Sequence, residues 1–83
     1  MITKSDEYLH VGRFRFYFFS NERQEPPHIH VKAAEDQAKF WIDPIALAVN
    51  YGFTARELNE IERIIAKHQT ELLEVWYDYF SQI

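Results

Sequence analysis

Two histidines one residue apart follow a pair of prolines in Pro26-Pro27-His28-Ile29-His30, and this segment of the 83-residue chain concentrates the most potential chemistry. In an extended strand, residues i and i+2 point the same way about 7 Å apart, so both imidazoles would face one side. An unperturbed imidazole titrates near pH ~6.5, so one ring could take a proton while the other gives one. With Arg15 to stabilise a pentavalent phosphate and Tyr17 to assist, the pair would make a metal-independent ribonuclease. Arg13, Lys32, Lys39 and Trp41 would then bind the ligand. No sequence signature is specific for that chemistry, so whether the protein is an enzyme stays open.

Two other readings use the same residues. Two imidazoles on one strand face can share a metal ion, and His30 with Glu35 has the HxH(x)4E spacing of cupin sites. Two ligands do not close a site, however, and His10, Glu25, Glu35 and Asp43 supply no compelling third. The expectation is therefore no metal and no cofactor, with a small metal-binding protein as the remaining alternative. In a structural reading, the prolines form a rigid lead-in to a strand, and His28 or His30 bonds carbonyls of the loop around residues 21–25.

Period-two alternation supplies the strands that must hold these groups. Arg13-Phe14-Arg15-Phe16-Tyr17-Phe18-Phe19 places Phe14, Phe16 and Phe18 on one face. Residues 20–27 form a polar loop whose prolines bar a ladder. Residues 28–33 alternate again, residues 34–37 suit a hairpin loop, and residues 38–42 make a third strand. Asp43-Pro44 signals a turn. Residues 45–51 favour a fourth strand over a short helix capped by Asp43, because Val49-Asn50-Tyr51-Gly52 ends a helix poorly. Thr54-Ala55-Arg56-Glu57 is a capping box. Leu58, Ile61, Ile65, His68, Leu72, Trp76 and Tyr79 then recur every three or four residues. With no Gly or Pro between Thr54 and Phe80, one helix of about 26 residues is expected, a hairpin broken within residues 67–70 being the alternative.

The expected fold is thus α+β: a small antiparallel sheet of three to four strands packed on a long C-terminal helix, in β-β-β-β-α order, as one domain over residues 1–83. Phe14, Phe16, Phe18, Ile29, Val31, Phe40 and Ile42 would pack on Ile61, Ile65, Leu72 and Trp76. The opposite face would carry Arg13, Arg15, Tyr17, His28, His30, Lys32, Lys39 and Trp41, and no carboxylate. A bulge in the first strand would exchange its faces.

Composition narrows the functions. The net charge of −4 argues against a general nucleic-acid coat, yet four of the nine Lys and Arg residues fall on the basic face. Such a face could bind phosphate and stack bases. Cysteine is absent, the first seven residues are polar and acidic, and no apolar run approaches the ~20 residues of a membrane span, so a cytoplasmic protein with no membrane partner is expected. Trp76, Tyr77, Tyr79 and Phe80 spread over most of a helix circumference at 100° steps, so part of this cluster should contact another chain. His68, on the apolar stripe, is most simply part-buried, and His10 is uninformative.

Phe16-Tyr17-Phe18-Phe19-Ser20-Asn21-Glu22, Glu25-Pro26-Pro27-His28-Ile29-His30-Val31, Ala38-Lys39-Phe40-Trp41 and His68, Leu72 and Trp76 together resemble a bacterial family, the domain of unknown function numbered 4160. The likeness covers about residues 14–76. Many members carry Phe where this chain has Ile29. The resemblance implies a cytosolic bacterial protein encoded beside a second small protein, in a pair that looks like a toxin–antitoxin module. It carries over no catalytic residues. The leading expectation is a component of such a module whose sheet face engages RNA or another anionic ligand. Its partner would be the cognate small protein or a second copy, and the alternative is a non-catalytic protein-binding module.

Overall fold

Aromatic and β-branched residues alternating with polar ones make half-buried strands, and the first two-thirds of the chain is built that way. In a computed structural model that describes residues 5–19 and 24–80, five strands form one antiparallel sheet in the order β1-β2-β3-β4-β5. They are β1 (Ser5–Val11), β2 (Phe14–Phe19), β3 (His28–Ala33), β4 (Asp36–Ile42) and β5 (Ile45–Tyr51), followed by helices α1 (Ala55–Lys67) and α2 (Gln69–Phe80). The α+β class and the strand at residues 45–51 are as expected. The sheet has one strand more, and the helical region is two helices. The polar loop expected at residues 20–27 lies outside the described residues over 20–23.

Strand β1 hides its periodicity behind a bulge. Its register with β2 shifts between Glu7 and Leu9, so that Glu7 opposes Tyr17 while Leu9 opposes Phe16. The Tyr8 ring lies 6.4 Å from that of Phe18. Turning into β2 takes two residues, Gly12 and Arg13, and Gly12 supplies the left-handed backbone (φ 58°) such a turn requires. Strand β2 has no bulge against β3, and its faces are as expected.

The helical region breaks at His68, within the segment 67–70 where the hairpin alternative placed it. His68 leaves helical geometry at φ −111° and ψ 14°, and its N–H is shared between Ile64 O and Ile65 O at 3.2 and 3.1 Å. Leu72 N donates to His68 O at 2.9 Å, so the second helix starts without a loop. The Gln69 side chain fastens this junction to the sheet by donating from Nε2 to Ile42 O at 2.7 Å.

Both helices cover one sheet face, called inner here. Phe14, Phe16, Phe18, Ile29, Val31, Phe40 and Ile42 are buried on it against Ile61, Ile65, Leu72 and Trp76, the core the alternation predicts, with Phe53 and two alanines added. No described helix is long and apolar enough to cross a membrane.

Candidate functional site: the outer face of the sheet

Antiparallel register turns strand alternation into rows that run across the sheet. One row on the outer face is His10, Arg15, Lys32, Gln37 and Tyr51; the next is Glu7, Tyr17, His30, Lys39 and Val49. Arg15, Tyr17, His30, Lys32, Lys39 and Trp41 are therefore on one face, as the sequence pattern expects. Five residues join them in these rows: Glu7 and His10 on β1, Gln37 on β4, and Val49 and Tyr51 on β5. Alternation puts Val49 and Tyr51 on one face of their strand, but only the register shows that this face is the one that carries Arg15 and Lys32.

The expected absence of carboxylates from this face does not hold. Glu7 sits in the second row, and Glu25, from the segment before the prolines, forms an ion pair with Lys39. The Lys39 ammonium also lies 4.8 Å from the centre of the Trp41 ring, a cation–π distance. Arg15 and Lys32, directly opposite each other, are exposed and have no ion-pair or hydrogen-bond partner among the described residues. A cavity of about 250 Å³ opens over them, lined also by Glu7, Tyr17 and Phe19.

Two of the expected face residues are elsewhere. Arg13 belongs to the hairpin turn rather than to a strand, and it points to the helix layer, where its guanidinium donates to Glu57 Oε2 at 2.6 Å. That contact reinforces the capping box: Glu57 N donates to Thr54 Oγ1 at 3.1 Å, and Thr54 N donates to Glu57 Oε1 at 2.9 Å. The Thr54 amide first, and the Arg13 guanidinium after it, hold the Glu57 carboxyl below its ordinary range.

His28 is the second. It opposes Trp41 in the register, but it is 0% exposed, and its ring lies 4.9 Å from Trp76 of α2. Its Nδ1 carries the proton and donates to Pro26 O at 2.9 Å. The next carbonyl, Pro27 O, accepts from Ile42 N at 3.1 Å, which extends the β3–β4 ladder past a residue with no N–H of its own to give. The prolines therefore fix two carbonyls, one for the ladder and one for the histidine. The carbonyl partner lies at Pro26, just beyond the loop residues the structural reading favoured.

His30 differs from its neighbour. It is half-buried and stacks on Tyr17 (centroids 5.4 Å apart, planes at 20°), with Phe19 edge-on at 4.7 Å and His28 edge-on at 5.2 Å. Phe19 is thus a further member of the face. No group of three or more His, Cys, Asp or Glu side chains that could hold a metal occurs among the described residues.

The C-terminal aromatics divide sharply. Trp76 is buried against Phe18 and His28, and Phe80 packs on Trp76 at 4.2 Å and on Tyr79 at 4.8 Å. Tyr77 alone of the four is strongly exposed, at 59%. Trp76 cannot be an interface residue while it fills this core.

A five-stranded meander with two helices on one face and cations among aromatic rings on the other defines a small α+β protein whose outer sheet face is covered by no helix among the described residues. Its family follows from direct comparison: the family described as Domain of unknown function (DUF4160) matches residues 13–77, and the chain belongs to that family. No curated protein and no solved structure matches the chain.

Proposed function

We propose that the protein is one component of a cytoplasmic toxin–antitoxin-type module and that its outer sheet face binds RNA. The observation that carries this reading is the make-up of the outer face. Arg15, Lys32 and Lys39 lie there among Tyr17, Phe19, His30, Trp41 and Tyr51, with Glu7 and the Lys39-bound Glu25 as its carboxylates, whereas the helices are acidic overall despite Arg56, Arg63 and Lys67. Cations interleaved with rings suit a ligand that alternates phosphates and bases. The reading is binding rather than cleavage, because a two-imidazole acid–base mechanism needs both rings at the substrate and His28 is sealed beneath Trp76.

The test is fluorescence anisotropy with a labelled short RNA. If three cations each meet a phosphate, affinity should drop about 20-fold between ~50 and ~200 mM salt. Absence of salt-dependent binding sinks the RNA reading. Coexpression with the adjacent gene tests the module: its product should copurify, and growth arrest should follow expression of one of the two alone.

A protein-binding module is the second reading, and the β5 edge favours it. That strand contains no charged residue and exposes Leu47 (44%), Val49 (36%) and Tyr51 (69%). Edge strands usually carry charges or prolines that discourage pairing, so a partner would cover this one more readily than the C-terminal aromatics. Val49→Lys should abolish copurification of the partner if contact is made there.

A further inference from the structure

Like charges placed directly opposite each other across two strands destabilise a sheet. Arg15 on β2 and Lys32 on β3 are such a pair, and the β1 residue on the far side of Arg15 is His10, not a carboxylate. Of the other cations on or beside the sheet, Arg13 is paired with Glu57 and Lys39 with Glu25, while Arg56, Arg63 and Lys67, on the helix α1, form no ion pair among the described residues but face no cation across a strand pair. Glu7 lines the same cavity as Arg15 and Lys32, yet it forms an ion pair with neither. Two unneutralised cations side by side at the mouth of an open cavity are a place where an anion would turn repulsion into attraction.

The surroundings narrow the anion. Along β2, Tyr17 follows Arg15 by two residues, about 7 Å away on the same face, so a ring stands beside the cation. Its ring is part of the stack with His30, and Tyr51 ends the row that contains Arg15 and Lys32. Phosphate-sized charge beside ring surface suits a nucleotide whose base is unpaired. A duplex would bring phosphates but keep its base faces covered.

The geometry points to Arg15 and Lys32 as a phosphate subsite that takes one backbone phosphate of single-stranded RNA, with the neighbouring base over Tyr17 and His30. The occupant rests on the RNA reading above; the phosphate subsite does not. Glu7, across the cavity, opposes the ligand's charge and limits how much anion the site will accept.

Two measurements separate the claims. Titrating the isotopically labelled full-length protein with inorganic phosphate should move the amide signals of Arg15 and Lys32 before others. Anisotropy should then show single-stranded RNA binding more tightly than its duplex. The double variant Arg15→Ala with Lys32→Ala should lose about tenfold in RNA affinity and about 1.4 from the slope of log affinity against log salt. Both side chains are exposed, so the fold should survive, which circular dichroism checks. Glu7→Gln should tighten binding about twofold. RNA binding unchanged in the double variant overturns the subsite while leaving the RNA reading intact. Phosphate shifts at Arg15 and Lys32 without any RNA binding support the subsite and remove RNA as its occupant. No phosphate response and no RNA binding overturns both.

Discussion

Replacing His28 tests most directly what the Pro-Pro-His-x-His segment is for. The ring is 0% exposed, donates to Pro26 O at 2.9 Å and contacts Trp76, Trp41 and His30. His28→Ala removes a ring from a sealed site and frees a carbonyl. Cavity formation on losing a large buried side chain costs about 2–5 kcal/mol, and the freed carbonyl belongs to Pro26, an exposed residue, where water can replace the lost donor. About 3–4 kcal/mol is therefore expected, nearly all of it from the lost ring. A domain of this length has about 4–12 kcal/mol in total, so this variant should melt roughly 12–30 °C lower. His28→Phe keeps an aromatic ring and loses the donor to Pro26 O, at about 1 kcal/mol. His30→Ala, at a half-buried position, should cost about 1 kcal/mol or less while weakening RNA binding. Urea titration followed by tryptophan fluorescence gives the stabilities, and anisotropy below each melting point gives the affinities. Should His28→Phe melt like the wild type yet lose RNA binding or any growth-arresting activity, His28 is a functional group and the structural account of it is wrong.

The contrast between the two histidines shows where sequence patterns carry and where they stop. Alternation reports which side of a strand a residue takes, and every inner-face residue it selects on β2, β3 and β4 is buried. It does not report what covers the end of a strand. His28 stands at the first position of β3, where Trp76 reaches it from α2, a residue 48 positions later in sequence. Arg13 departs from its expected face for a different reason: it continues the alternation of β2 but belongs to the turn that Gly12 opens. Strand β1 does not show in the alternation because its bulge interrupts the period of two, and without β1 nothing in the sequence places His10 beside Arg15. The helix break carries no Gly or Pro, and what marks it is a tertiary bond from Gln69 to Ile42 O that no local pattern contains. Rows across the sheet are a matter of register, which hairpin geometry fixes and composition does not. The cations were therefore legible as a face, but their pairing into a phosphate subsite was not.

The remaining predictions concern the turns that hold the meander and the helix layer in place. Gly52 has φ 107°, and a β-carbon there would run into the Asp36 carboxylate, so Gly52→Ala should destabilise by about 1–3 kcal/mol in the same urea assay. Glu57 offers a test of sign. Its carboxyl is held below the ordinary value of 4.5 by the Thr54 amide and the Arg13 guanidinium. Folding then favours the ionised form, so the resulting stability is present above pH 4.5 and is lost as pH falls through the lower folded value. Glu57→Gln separates charge from shape, since a glutamine carbonyl can still accept from Thr54 N and complete the capping box. Every other group is common to the two proteins, so the informative quantity is the difference between wild-type and variant stability measured at each pH. That difference should be largest above pH 4.5 and shrink as the solution is acidified below it. A difference that stays constant through this window would mean that Glu57 acts as a neutral cap and that its ion pair with Arg13 adds nothing to the fold.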